Sequence, residues 1–126
     1  MRFIDVADLT GTERDVRNDN YHSRRILLAE DQAGVGLNDV VINPGLNDTY
    51  GYPDRTEIAY CISGSATAVN LVTGEECAIR PGVGWVAPPG SRFTLVATEP
   101  TRLICVFDPP LQGNETGILA ARNSED

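Results

Sequence analysis

A chain of 126 residues with 41% hydrophobic and 22% charged residues has the composition of one folded domain, long enough to bury a core without staples. Its formal net charge of −8, with arginine as the only basic residue besides one histidine, repels phosphate backbones and anionic lipid, so neither nucleic acid nor a membrane surface is an expected partner. No apolar run approaches the roughly 20 residues of a spanning helix, and MRFIDVADLTGTERDV turns polar too soon for a secretory signal, so a cytoplasmic location is expected.

The segment from Asp8 to Asn20 is read as holding a helical turn and little else. After it, short runs rich in β-branched and aromatic residues alternate with turn signals about every ten residues, the pattern of an all-β sandwich or barrel. Strands are predicted at Arg24–Ala29, Val35–Ile42, Glu57–Ser63, Ala66–Val72, Glu76–Arg80, Gly84–Ala87, Phe93–Ala97 and Arg102–Phe107. Between them, Asn43-Pro44-Gly45, Ser63-Gly64, Thr73-Gly74, Pro81-Gly82 and Pro88-Pro89-Gly90 punctuate hairpins, because glycine supplies positive φ and proline presets a turn. The tail from Asn114 to Asp126 reads as a loop. No linker or repeat divides the chain, so residues 1–126 are expected to form a single domain.

The cysteines Cys61, Cys77 and Cys105 are an odd number at wide spacings, which suits neither a disulfide framework nor a CxxC zinc site; they are expected as small buried hydrophobes. His22, the single histidine, is expected at the surface beside the start of a strand at Tyr21, not as a ligand.

Two spacings carry a resemblance. Gly45, Glu57 and Gly64 stand where the first cupin motif has its first glycine, its glutamate and its last glycine, with Gly51 and Pro53 in its two histidine places. Gly82, Pro88 and Gly90 fit the frame of the second motif, with Phe93 in its histidine place and Ala97 in its asparagine place. Within that superfamily the stretch from about Tyr21 to Glu115 resembles ectoine synthase. Arg102 to Gly113, RLICVFDPPLQG, is close to that family's RLVCVFNPPLTG; Ile79 to Gly82 matches its IRPG; Glu57 to Ile62, EIAYCI, parallels its ESVFCI. The resemblance implies a single cupin-type jelly-roll β-barrel that pairs as a homodimer.

Ectoine synthases close a ring in gamma-acetylated diaminobutyrate: an amine attacks an amide carbonyl and water is lost. The family uses an iron-type metal held by a glutamate, a tyrosine and a histidine, and those places here hold Glu57, Trp85 and Phe93. An indole nitrogen is only a donor and a phenyl ring has no lone pair, so no tightly bound metal, and no other cofactor, is expected. An iron-type ion at Glu57 would require a rebuilt site. Of the places that line the family's substrate pocket, Arg25, Asn38, Tyr52, Cys105, Phe107 and Glu115 are kept. Tyr21 stands in place of a tryptophan, Arg55 and Gly117 in place of histidines, and Val40 in place of a threonine.

Strand alternation is an independent guide. Glu57, Ala59 and Cys61 share one face of their strand, as do Leu103, Cys105 and Phe107 on theirs, and the cupin template aims both sets into the barrel with Trp85 and Phe93. An acid in such surroundings has a raised pKa and serves as general acid or base near neutral pH; the alternative is a structural acid paired with Arg55 or Arg25. The leading expectation is an ectoine-synthase-like cyclase or dehydratase acting on a small molecule. Glu57 is its acid/base, Arg55 or Tyr52 polarises the carbonyl, and Tyr21, Arg25, Asn38, Cys105 and Glu115 contact the substrate. Trp85, Phe93 and Phe107 form the apolar wall, or simply fill the core. Two alternatives stay open: a non-catalytic small-molecule-binding or accessory cupin, and a true L-ectoine synthase.

Overall fold

The computed structural model describes residues 1–45 and 48–114. Its strands are β1 (Asp15–Arg17), β2 (Tyr21–Leu27), β3 (Gly36–Ile42), β4 (Thr49–Tyr50), β5 (Thr56–Ser63), β6 (Ala66–Asn70), β7 (Glu76–Ile79), β8 (Gly84–Ala87), β9 (Phe93–Ala97) and β10 (Thr101–Asp108). They form a six-stranded sheet in the order β1-β2-β3-β10-β5-β8 and a four-stranded sheet in the order β4-β9-β6-β7, antiparallel throughout. This is the all-β cupin barrel that the two motifs imply. Among the described residues no helix is long and apolar enough to cross a membrane.

Alternation along the strands builds the core. β10 buries Thr101, Leu103, Cys105 and Phe107 and leaves the residues between them more exposed; β2 does the same with Tyr21, Ser23 and Arg25. Pairing turns these faces into rows that cross the large sheet. One row runs Arg25, Asn38, Cys105, Ala59, Trp85; the next runs Gly36, Phe107, Glu57, Ala87. Tyr50, Phe93, Leu95, Ala97, Ala66 and Ile79 face them from the small sheet and its neighbourhood. Each large apolar side chain so buried contributes about 1.5–3 kcal/mol.

The predicted strands exist, and the five predicted glycine turns all have positive φ at Gly45, Gly64, Gly74, Gly82 and Gly90. Several boundaries move, for local polar reasons. β2 begins at Tyr21, ahead of the expected Arg24, because the Asn18 carboxamide accepts from the backbone N–H groups of Asn20 and Tyr21 at 2.8 and 2.9 Å and closes a hairpin with β1. β1 itself is too short and polar to read as a strand. β2 stops at Leu27 and not Ala29, since Asp31 accepts from the Leu28 N–H at 2.7 Å and draws Ala29–Asp31 into a 3-10 turn. β6 stops at Asn70 and not Val72, where the Asn70 side chain caps the N–H groups of Val72 and Thr73. The helical turn expected within Asp8 to Asn20 lies earlier, at Val6–Leu9, capped by Asp5. Cys61 and Cys105 are buried as expected, but Cys77 is exposed on β7, the edge of the small sheet. His22 contacts Asp15 across the β1–β2 pair and is partly covered. The tail beyond Asn114 lies outside the described residues.

The turn at Gly64 tolerates no side chain. At Gly64, φ is +101° and an added Cβ would lie 2.5 Å from the Pro100 carbonyl oxygen and 2.5 Å from the Thr101 Cα. Gly64→Ala is expected to destabilise the fold by about 3 kcal/mol or more, against about 1 kcal/mol for Gly74→Ala, which carries a similar φ in open space. Equilibrium denaturation of the two variants measures the difference.

Candidate active site

The inner faces of β5 and β8 meet in a four-cornered patch. Glu57 stands opposite Ala87, and Ala59 opposite Trp85, so the acid and the indole occupy one diagonal and two alanines the other. Diagonal neighbours in an antiparallel pair are about 7–8 Å apart at Cα, and the alanines leave the ground between them low. On the other side of β5, Phe107 pairs with Glu57 and Cys105 with Ala59. Strand parity put Glu57 with Ala59 and Cys105 with Phe107 on shared faces, and the cupin template added Trp85 and Phe93; the alanine diagonal shows only once the register is known.

Glu57 is 4% exposed, and burial pushes its carboxyl up to about 7, opposed in part by hydrogen bonding with the Cys105 thiol. Its Oε1 has no partner among the described residues. The Cys105 thiol is itself held well above its usual range, by burial first and by Glu57 second, so it stays protonated and can donate. Tyr52 packs edge-to-face on Phe107 with ring centroids 5.5 Å apart, and burial followed by the nearby Glu57 keeps its phenol protonated.

The two guanidiniums do not serve Glu57. Arg55 donates to Asp54 at 3.1 and 3.3 Å and to the Pro110 carbonyl at 3.0 Å, with its charge 5.6 Å from the Tyr52 ring centroid. Arg25 donates to the Gly113 carbonyl at 3.2 Å. The alternative of a structural Glu57–Arg pair is therefore corrected: the neighbour that bonds to the acid is a thiol. Asn38 is buried in the row between Arg25 and Cys105, and neither its Oδ1 nor its Nδ2 has a partner among the described residues. Tyr21, on the same inner face of β2, lies within electrostatic reach of Tyr50 and Tyr52. Glu115 and Gly117 lie outside the described residues.

Trp85 packs edge-on against Phe93, centroids 6.4 Å apart, and Phe93 tilts against Tyr50 at 6.0 Å. This aromatic pair lines a cleft of about 440 Å³ where the edges of the two sheets face each other, with Ala68, Ile79 and Ala87 as apolar wall and Asn70, Glu75 and Arg92 as polar groups. Of the residues expected in a site, Trp85 and Phe93 line this cleft, and Ala87 carries it to the strand position opposite Glu57. Ala87, Asn70 and Arg92 were not foreseen, because an alanine, a strand-end asparagine and a loop arginine carry no signal of their own.

The metal that the resemblance implies does not fit. The places of its three ligands converge, yet Trp85 Nε1 is a donor without a lone pair to give and Phe93 has no donor atom. At Gly51, the first histidine place of the motif, φ is +129° and an added Cβ would stand 1.9 Å from the Ser91 carbonyl oxygen. Among the described residues no three His, Cys, Asp or Glu side chains group closely enough to hold an ion.

The raised Glu57 has a thermodynamic signature. Its folded pKa of about 7 exceeds the ordinary 4.5, so the native state holds a proton that the unfolded state gives up, and the stability this confers is complete below 4.5 and lost as pH rises through about 7. Asp15, Asp31 and Asp39, held low by their partners, act in the opposite sense and below this window. Relative to Glu57→Gln, the wild type is expected to lose on the order of 3 kcal/mol across that rise, measured by denaturation at a series of pH values.

Comparison with known proteins bears on the same geometry. The family model for ectoine synthase matches residues 1–118. The L-ectoine synthase of Alkalilimnicola ehrlichii is 36% identical over 116 residues, spanning 91% of this chain and 88% of that protein. That of Desulfatibacillum aliphaticivorans is 38% identical over 112 residues, spanning 87% and 86%. The crystal structure of ectoine synthase from P. lautus superposes with a TM-score of 0.85 at 30% identity, covering 100% of this chain and 86% of that one. KdgF from Halomonas sp., with a TM-score of 0.63 at 20% identity, covering 80% of this chain and 91% of that one, shares the fold alone. With a buried glutamate in the motif's place, the barrel closed around it and these relatives spanning nearly its whole length, the chain belongs to the ectoine synthase family.

Proposed function

We propose that this chain is a cytoplasmic cyclase or dehydratase of the ectoine-synthase type that joins an amine to a carbonyl carbon with loss of water, using Glu57 as its acid/base and no tightly bound metal. The observation that carries the reading is the state of Glu57: a desolvated carboxyl with its pKa near 7 and one oxygen without a partner, in the barrel of a ring-closing family. A group that titrates at neutral pH both gives and takes a proton with little penalty.

The proton balance is simple. As the amine nitrogen bonds to the carbonyl carbon, Glu57 protonates the carbonyl oxygen and then recovers a proton from the nitrogen. A second proton passed the same way lets the oxygen leave as water, and Glu57 ends as it began. The Cys105 thiol steadies the carboxylate form by donation, and the aromatic wall of Trp85, Phe93 and Phe107 keeps bulk water from the reacting carbon. Asn38, with both polar atoms buried and unpartnered among the described residues, is the amide contact for the substrate, and Arg25, Tyr21 and Glu115 keep their proposed roles as substrate contacts.

We also propose that the barrel works as a homodimer. The outer face of β5 and β8 leaves Ile58, Tyr60 and Val86 43%, 50% and 64% exposed side by side, an apolar surface of the kind that a second copy covers.

Three measurements test the reading. Glu57→Gln is expected to lower turnover of gamma-acetylated diaminobutyrate about a hundredfold or more with affinity retained; equal turnover in both forms sinks the acid/base role, and none in either form favours a binding protein. Elemental analysis of purified protein is expected to give well under one metal per chain, and Trp85→Tyr with Phe93→His to raise it. Light scattering at the mass of a single chain would overturn the dimer.

A further inference from the structure

We propose that the indole N–H of Trp85 is the donor that holds and polarises the substrate's carbonyl, and that the group it receives is a neutral carbonyl, of an amide or a ketone, seated over the two alanines beside Glu57. The inference rests on the ring-closing reading above, and it places the polarising role on a residue other than the expected Arg55 or Tyr52.

Four observations carry it. Trp85 Nε1 is a buried donor with no partner among the described residues, and buried donors are almost always satisfied by something. Arg55, the first residue expected in this role, is taken up by Asp54 and the Pro110 carbonyl, and Tyr52 too has partners. The indole stands on the diagonal from Glu57, so an oxygen between them would meet a donor from β8 and the acid from β5. Ala59 and Ala87 put no bulky side chain between the two groups, and Trp85 and Ala87 both line the open cleft, the side from which a ligand would approach them.

The chemistry of the patch selects the oxygen. Its corners are Glu57, Ala59, Trp85 and Ala87, flanked by Cys105, Phe107 and Phe93, with no cationic group among them. A carboxylate placed there would surrender its hydration for one neutral donor beside an acid, whereas a carbonyl oxygen loses far less and gains from a donor that needs no reorganisation as charge builds on it.

The experiment uses the fact that Trp85 is the only tryptophan, so the full-length protein shows a single indole N–H resonance. Acetamide and acetate, matched in size and differing in charge, are the probes. Acetamide is expected to move the indole resonance downfield in a saturable way and acetate to leave it unmoved. Trp85→Phe, which keeps the ring against Phe93, is expected to weaken acetamide about tenfold, read at the backbone amides of Ala59 and Ala87. Ala87→Val, which fills the seat and leaves the indole intact, is expected to abolish the movement. The proposal is overturned if neither probe moves the resonance, if acetate moves it as acetamide does, or if Trp85→Phe binds acetamide as the wild type does. Movement by acetamide in a protein that closes no ring would sink the cyclisation reading and leave the Trp85 assignment standing.

Discussion

The pairing register of β5 against β10 is the constraint on which the rest of the barrel depends. β10 lies between β3 and β5, so every row of the large sheet passes through it. At one end Arg102 pairs with Ser63; the next pair is Leu103 with Cys61, so Ile62 is left over as a bulge. From that point Cys61, Ala59 and Glu57 face inward opposite Leu103, Cys105 and Phe107. A slip of one residue would turn the three inward side chains out to solvent and carry Ile58, Tyr60 and Ile62 in. Glu57 owes its desolvation, and hence its titration near neutrality, to that register more than to any single contact.

Ion pairs outside the barrel support the same arrangement. Asp39, nearly buried on β3, accepts from Arg102 Nε at 2.9 Å and lies 3.3 Å from an Arg24 nitrogen, so β2, β3 and β10 are tied across their outer face. Arg14 does similar work on Asp31 at 2.8 Å, fastening the loop before β1 to the turn after β2. The arginines that are engaged with carboxylates in this way are structural, and they lie outside the row of inward-facing residues that runs from Arg25 to Trp85.

Much of this was legible in the sequence, and what was not has identifiable causes. Glycine and proline punctuation located the hairpins because positive φ is demanded by the backbone whatever surrounds it, and period-two alternation sorted Glu57, Cys105 and Phe107 to the inside. β1 and β4 escaped because strands of three and two residues carry no periodicity to read. The ends of β2 and β6 were set by Asn18, Asp31 and Asn70, whose side chains compete for backbone N–H groups with a strength that propensity does not register. The pairing of Arg55 with Asp54 was hidden for a related reason: a neighbouring acid captured a guanidinium that the barrel's plan would send to Glu57. The alanine diagonal at Ala59 and Ala87 could not be seen, since it exists only between strands.

Gly51 bears on how such a protein changes over generations. Because its backbone sits in a region closed to side chains and the Ser91 carbonyl occupies the place a Cβ would take, a codon change to histidine there gives a strained chain before it gives a ligand. The loop that holds Ser91 would have to move first, by mutations that bring no benefit alone. A histidine at that position is therefore more than one substitution away: the backbone on both sides of the contact has to be rebuilt before a side chain can stand there, whether or not a metal would serve the protein.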